Sequence, residues 1–426
     1  IISEHWKNKW KKTESQRYSQ FSARAYQKLR KILKYHLFEK RDGGIINCIK
    51  KDDGEIEFES EKVDELLATT MREIQIDDKW EFLEEKEFPK LNRLNEKEMC
   101  EIIRKLSTGK AIAFDGVSDT LFEEQAKETV YKRLNKPTNV EKTAKRLRNL
   151  WRVPLHEYGE LRDTWDTRLV PLNKVFPNIP TRKELRPIAV QSPLVKLLEA
   201  RFLQKLQDYL SYKLDRSQTG FIRKMGIQVN LVRALERITM RTKKKMCVYG
   251  LFIDFSNAYN SIPHSLLFKK LREKKVLESN EIEFLEQMYA RYRLRIGKAR
   301  IRSNKGVAQG SVISPALFNI FIEDLSEELK EKTGISFEDL LYYADDLLAL
   351  CTSIDQVKKV IKVISDWSLR NGMQLNKKKS GIVIFAARRS HNIPNMTNAN
   401  ENRKSKKAKL VPSKPEIEGV PICEKY

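Results

Sequence analysis

Asp345 and Asp346 stand side by side between two apolar runs, Leu340 to Ala344 and Leu347 to Cys351, and this pattern constrains the fold more than any other stretch. Short apolar runs bounded so abruptly read as buried strands either side of a tight turn. Ionised carboxylates at the edge of a buried sheet are costly unless a cation meets them. An Asp-rich hairpin turn facing water satisfies the same pattern, and the pair alone does not choose between the two. A third carboxylate, Asp254, lies near the end of another apolar run, Met246 to Phe255. Three carboxylates aimed at one point predict a divalent-metal site. Hard oxygen ligands suit Mg²⁺, which takes one or two carboxylates plus substrate phosphates.

The charge balance narrows the partner. The 426 residues carry a formal net charge of +24 and a pI near 9.6, a self-repulsion that a polyanion would relieve. Nucleic acid is the natural candidate. A basic membrane-surface protein is the rival, but no run of about 18 apolar residues is present to span a bilayer. The five cysteines are scattered without zinc-ligand spacing, which fits a reducing, intracellular compartment, nucleus or organelle. The length predicts two or three domains.

Along the chain, the first 50 residues are basic, with a helix expected over Ser22 to Leu37 that reads equally as an RNA-binding arm or a solvated face. Ile45 to Ile49 and Glu55 to Phe58 flank Asp53-Gly54 as a hairpin, and residues 51 to 100 turn acidic, a packing or partner-facing block. Asn95 with Glu98 predicts a capped helix ending near Gly109. Arg168 to Val175 and Leu185 to Val190 read as extended segments, kept to edges or irregular pairing by Pro171 and Pro187. Ser192 and Pro193 open a helix with Leu194, Leu197, Leu198, Phe202 and Leu206 inward, followed by Gln218-Thr219-Gly220-Phe221, where Gly220 suits a tight turn and Phe221 is expected buried. Tyr292 to Ile296 and Ala299 to Arg302 predict a hairpin with several arginines on one face, suited to phosphates or simply solvated. Gly306-Val307-Ala308-Gln309-Gly310-Ser311 leads to a helix begun by Pro315 and capped by Ser314. Ser353 with Gln356 starts another, with Val357, Val360, Ile361 and Ile364 inward and Gly372 ending it. Arg388 to Lys409 is basic, polar and flexible.

Tyr343-Ala344-Asp345-Asp346 resembles the metal-binding box of reverse transcriptases, and Phe252-Ile253-Asp254 with Ala258-Tyr259 resembles their first catalytic box. The likeness continues in order over residues 106 to 426: Lys110 to Gly116, the Gln218 to Phe221 box, the Gly306 to Ser311 loop with Ser314 to Asn319, and Leu375-Asn376-Lys377-Lys378-Lys379-Ser380. It is nearest to non-LTR (LINE-type) retrotransposon enzymes, with group II intron enzymes second. The resemblance implies an α/β (α+β) right-hand polymerase. Residues 1–105 would be an N-terminal extension, 106–250 fingers, 251–387 a palm with an antiparallel sheet backed by helices, and 388–426 a basic segment with the start of a primer-grip hairpin. A thumb is expected next and is not recognised, which reads as a fragment or as a surface that a partner supplies.

It also implies roles. Asp254, Asp345 and Asp346 would be catalytic and would hold two Mg²⁺ ions. Lys174 and Arg186 would grip the incoming triphosphate, and Tyr259 would exclude a 2′-hydroxyl. Gln309 would lie near the nucleotide, and Lys379, chosen by register, would assist the leaving pyrophosphate. The implied partners are an RNA template, a DNA or RNA primer and deoxynucleoside triphosphates, within a possible larger ribonucleoprotein. An RNA-dependent RNA polymerase, a non-catalytic RNA-binding or maturase-like protein, and a degenerate element copy stay open as alternatives.

Overall fold

The computed structural model describes residues 48–92, 94–106, 138–147, 164–175, 178–212, 217–386 and 416–423. The expected basic helix over Ser22 to Leu37, the loop from Lys110 to Gly116 and the segment from Arg388 to Lys409 lie outside them. The chain forms two compact units, one from Ile1–Val63 and Val170–Pro187, the other from Asp64–Leu169 and Ile188–Tyr426.

In chain order, β1 (Ile49–Lys50) and β2 (Ile56–Glu57) pair antiparallel around Asp53-Gly54, with Gly54 at φ +93°. This is the expected hairpin with shorter arms. Next come α1 (Ser60–Gln75), α2 (Glu96–Lys105) and α3 (Asn139–Leu147). The start of α2 is a full capping box, in which the Asn95 side chain accepts from the Glu98 peptide and Glu98 accepts from the Asn95 peptide. The two extended segments are β3 (Asp166–Asn173) and β4 (Leu185–Val190). Within the smaller unit, the Lys174 peptide donates to the Glu184 carbonyl at 2.9 Å, and the Lys50 peptide donates to Pro180 at 3.0 Å.

The larger unit continues with α4 (Pro193–Tyr212), α5 (Ile227–Lys243), β5 (Val248–Ile253), α6 (Ala258–Ser261), α7 (His264–Glu273), α8 (Ser279–Arg291), β6 (Arg293–Ile296), β7 (Ala299–Arg302) and α9 (Ser314–Thr333). Then follow β8 (Leu340–Tyr343), β9 (Asp346–Cys351), α10 (Ile354–Arg370), β10 (Gly381–Phe385), β11 (Glu416–Ile417) and β12 (Val420–Pro421). Its central sheet runs β10-β5-β9-β8, antiparallel throughout. Alternation along β8 sends Leu340 and Tyr342 into the main core and Leu341 to the opposite face, against Ala234 and Ile238 of α5. Helices therefore back both faces of this sheet.

The helical stripes read from the sequence are the buried ones. In α10, Val357, Val360, Ile361 and Ile364 are buried, Ser353 accepts from the Gln356 peptide, and Gly372 ends the helix at φ +69°. Burying four such side chains at roughly 1.5–3 kcal/mol each outweighs any propensity term, so packing holds this helix. In α4, Leu197, Leu198, Phe202 and Leu206 are buried and Leu194 half-buried.

Three local expectations need correction. Phe221 is 48% exposed with φ +58°, so it is not a core residue. Its neighbour Gly220 is required by proximity rather than by turning, because a Cβ there would lie 2.3 Å from the Ala344 peptide nitrogen. Ser314 is the first helical residue of α9 rather than its cap. The N-cap position is Ile313, and just upstream the Ser311 hydroxyl accepts from the peptides of Ile313 and Ser314, both at 3.2 Å.

The β6–β7 hairpin does place Arg293, Arg295, Arg300 and Arg302 on one face, through the pairs Arg293↔Arg302 and Arg295↔Arg300. Protein groups occupy that face. Arg293 pairs with Glu85, Arg300 meets buried Asp166 at 2.8 Å, Arg295 lies 3.6 Å from the same carboxylate, and Arg302 donates to the Leu83 carbonyl at 2.5 Å. The acidic block thus packs against the arginines, as a packing extension would. At the far end, β11 and β12 pair around Glu418-Gly419, both at positive φ, and the Cys423 peptide donates to Ile382 of β10.

Candidate active site

The site is built where β5 and β9 end together. Their register pairs Ile253 with Leu347, so Asp254, one residue beyond β5, stands opposite Asp346 at the start of β9. The β8–β9 turn is only Ala344-Asp345, with Tyr343 paired to Asp346. Asp346 is exposed, yet partial loss of hydration and the facing charge of Asp254 raise its carboxyl above the usual carboxylate range. Asp345 occupies the turn itself. Burial, then the charge of Asp345, push the Tyr259 hydroxyl above its ordinary value.

Ala344 takes φ +57°, a left-handed conformation at the first turn position that an L-residue holds at a cost of about 1–3 kcal/mol. Such strain persists only where neighbours enforce it, and here they do. The Gln218 carboxamide accepts from the Ala344 peptide at 3.0 Å and donates to the Ala344 carbonyl at 3.2 Å. Two residues earlier, the Tyr342 carbonyl accepts from the Thr219 peptide at 3.0 Å and from Asn230 Nδ2 at 2.8 Å.

Asp254 is fixed from the other side by the Asn376 to Ser380 turn. The Asn376 peptide donates to the Asp254 carbonyl at 2.8 Å, and the Ser380 hydroxyl accepts from the Asp254 peptide at 3.1 Å. The lysine box therefore positions the first carboxylate, and Lys379 sits exposed in that same turn. Tyr259 is stacked on Phe318 of α9, with ring centroids 4.7 Å apart and planes at 5°. Its buried hydroxyl has no hydrogen-bond partner among the described residues.

The Gln309 loop is gripped along its length. The Ala189 peptide donates to the Gln309 carbonyl at 2.8 Å, and Gly310 (φ +134°) sits so close that a Cβ would lie 2.3 Å from the Ala189 oxygen. Glu199 of α4, fully buried, then holds the far end. Its carboxylate accepts from Ser311 Oγ at 2.8 Å, Tyr292 Oη at 2.6 Å, Gln191 Nε2 at 3.0 Å and the Val312 peptide at 3.2 Å. Burial pushes this carboxyl up, against the pull of those four donors. At the near end, buried His264 donates from Nε2 to the Gly306 carbonyl at 2.7 Å.

The structure thus brings Asp254, Asp345, Asp346 and Tyr259 to one end of the central sheet, with the Gln309 loop joined to Tyr259 through the Val307 peptide at 2.7 Å. Lys174, directly after β3, and Arg186, within β4, are exposed residues of the smaller unit. Sequence reasoning missed Glu199, whose signal was a lone acid directly after Leu198 in an apolar stripe. It also gave Gln218 no role. As to metal, no group of three or more His, Cys, Asp or Glu side chains among the described residues is assembled to hold an ion. Two facing carboxylates with like-charge crowding and oxygen donors alone nevertheless fit a hard divalent cation, which draws its remaining ligands from water and substrate phosphates.

Comparison with known proteins supplies the family. The model of "Reverse transcriptase (RNA-dependent DNA polymerase)" matches residues 176–411, more than half of the chain. The Pol polyprotein of the type-1 retrotransposable element R2 from Popillia japonica is 26% identical, covering 47% of this chain and 30% of that protein. The RNA-directed DNA polymerase from mobile element jockey of Drosophila funebris is 24% identical over 47% of this chain and 23% of its own length. A putative COX1/OXI3 intron 2 protein of Saccharomyces cerevisiae is 26% identical over 34% of this chain and 16% of its own. The chain spans less than a third of each of these relatives. With the Asp254 strand, the Asp345-Asp346 turn and the Gln309 loop all inside the matched region, the chain belongs to the reverse transcriptase (RNA-dependent DNA polymerase) family.

Proposed function

We propose that the chain is the polymerase part of a retroelement protein, an RNA-directed DNA polymerase that copies RNA into DNA by metal-assisted nucleotidyl transfer. The observation that carries this reading is the meeting of Asp254 with Asp346 across β5 and β9, at a turn held in a strained conformation. Asp254 and Asp346, with Asp345 in the turn, would hold two Mg²⁺ ions. Mg²⁺ bound there supplies charge stabilisation for the attacking primer hydroxyl and the departing pyrophosphate.

The chain's own residues do the positioning. The Tyr259 ring, clamped flat on Phe318, is a rigid wall against which a 2′-hydroxyl would collide, favouring deoxynucleotides. The Gln309 loop, fixed at Ala189 and Glu199, lines the nucleotide. Lys379 faces the leaving group, and Lys174 and Arg186 bind the triphosphate, Arg as a bidentate fork and Lys as a point charge. The net charge of +24 suits an RNA template and a nucleic-acid primer.

The test is primer extension on an RNA template with Mg²⁺ and deoxynucleotides, beside Asp345→Ala. Extension that the variant loses supports the reading. Equal extension by both proteins, or none by well-folded wild type, sinks it.

A further inference from the structure

We infer that Gln218 is a positioning residue for the catalytic turn, its carboxamide locking Ala344 in the left-handed conformation and thereby setting the direction in which Asp345 and Asp346 present their carboxylates. The inference rests on the reading of those carboxylates as the metal-holding groups.

Gln218 is 5% exposed and lies beside β8, in a parallel bridge with Tyr342. Its Oε1 accepts from the peptides of Ala344 at 3.0 Å and Gly220 at 2.8 Å, while Nε2 donates to the Ala344 carbonyl at 3.2 Å. A carboxamide is the side-chain group that offers an acceptor and a donor in one plane, so it can engage both backbone groups of a single residue. An ionised carboxylate only accepts and a guanidinium only donates, so neither can copy that pattern. Ala344 needs such a partner because φ +57° is unfavourable for any residue with a Cβ.

The clamp is itself anchored. The Gly220 carbonyl accepts from Asn319 Nδ2 at 2.7 Å, which ties the Gln218 segment to α9. Gly220 has no side chain because a Cβ would strike the Ala344 nitrogen at 2.3 Å. Ala344 is thus held by its own peptide groups rather than by its side chain. Released from Gln218, the turn would relax toward negative φ, and the Asp345 carboxylate would swing with it.

The variants that test this are Gln218→Met, which keeps length and removes all three hydrogen bonds of the carboxamide, Ala344→Gly, which takes positive φ without strain, and their combination. Mn²⁺ is the probe for binding, titrated by electron paramagnetic resonance, with Asp345→Ala as control. Single-nucleotide extension then gives kcat and KM.

Gln218→Met is expected to weaken Mn²⁺ binding and lower kcat at least tenfold, with the deoxynucleotide KM within threefold of wild type. Adding Ala344→Gly should recover at least a third of the lost kcat. Binding and kcat of Gln218→Met within twofold of wild type would overturn the inference. So would a loss that Ala344→Gly does not relieve, since the side chain would then act by another route. Should wild type neither bind Mn²⁺ nor extend, the metal reading has failed by itself. Thermal unfolding of the four proteins then decides the clamp: additive shifts at the two positions overturn it, and a smaller effect of Gln218→Met in the glycine background upholds it.

Discussion

Gly310 carries a tight constraint within the Gln309 loop. With φ +134° and the Ala189 oxygen 2.3 Å from where a Cβ would sit, Gly310→Ala should cost about 3 kcal/mol or more in unfolding free energy. Chemical denaturation measures this directly. Tyr259 makes the opposite kind of prediction, a gain. Tyr259→Val removes the ring stacked on Phe318 and should raise ribonucleotide over deoxynucleotide incorporation by about 10- to 100-fold, read by competing the two in extension. At this scale the sequence was informative where chemistry is linear in the chain, as with the adjacent Asp345 and Asp346. It was silent where partners are remote. Phe221 was expected buried, but it takes positive φ and is half exposed. Glu199 drew no reading from the sequence, yet four donors, three of them from distant segments, converge on it.

Among the elements, period and capping decided most of the outcome. The stripes of α4 and α10, the Asn95 box and the Ser353 cap were all legible, because each depends on residues within one turn of one another. The arginine hairpin was legible in geometry and ambiguous in use. Its partners Glu85 and Asp166 lie more than 100 residues upstream, and no local pattern could pair them. A similar remote network ties α5 to the sheet. Asp339, just before β8, accepts from Arg237 Nε and Nη2 at 2.9 Å and from Arg241 Nη2 at 2.6 Å. Asp339→Ala would leave Arg241 without its carboxylate and Arg237 with Glu338 alone, and should cost roughly 3 kcal/mol. A fall in the thermal midpoint checks it, and an unchanged midpoint would mean the pairs are solvated equivalents.

For the whole molecule, the pH response has a defined sign. Burial drops the His264 imidazole from 6.5 to about 4, against the weaker opposing effect of its bond to Gly306. The folded protein therefore resists protonation that the unfolded chain accepts. This contribution is intact above pH 6.5 and is lost as pH falls toward 4, by up to about 3 kcal/mol. His264→Gln, which can still donate to Gly306 but does not titrate, should flatten the slope of stability against pH in that window. The net charge of +24 pointed toward a polyanionic partner from composition alone, because charge sums without regard to fold. How the sheet orders its strands was not legible, since β10 pairs with β5 across more than 120 residues.

The central claim is that the Asp254 strand and the Asp346 strand form one catalytic centre. Single-turnover incorporation of one deoxynucleotide on an RNA template, by wild type, Asp254→Asn, Asp346→Asn and the double variant, tests it most directly. Groups acting as a unit lose their effect together, so each single variant should fall about 1,000-fold or more and the double variant no further. Either single variant retaining a rate within tenfold of wild type would contradict the account.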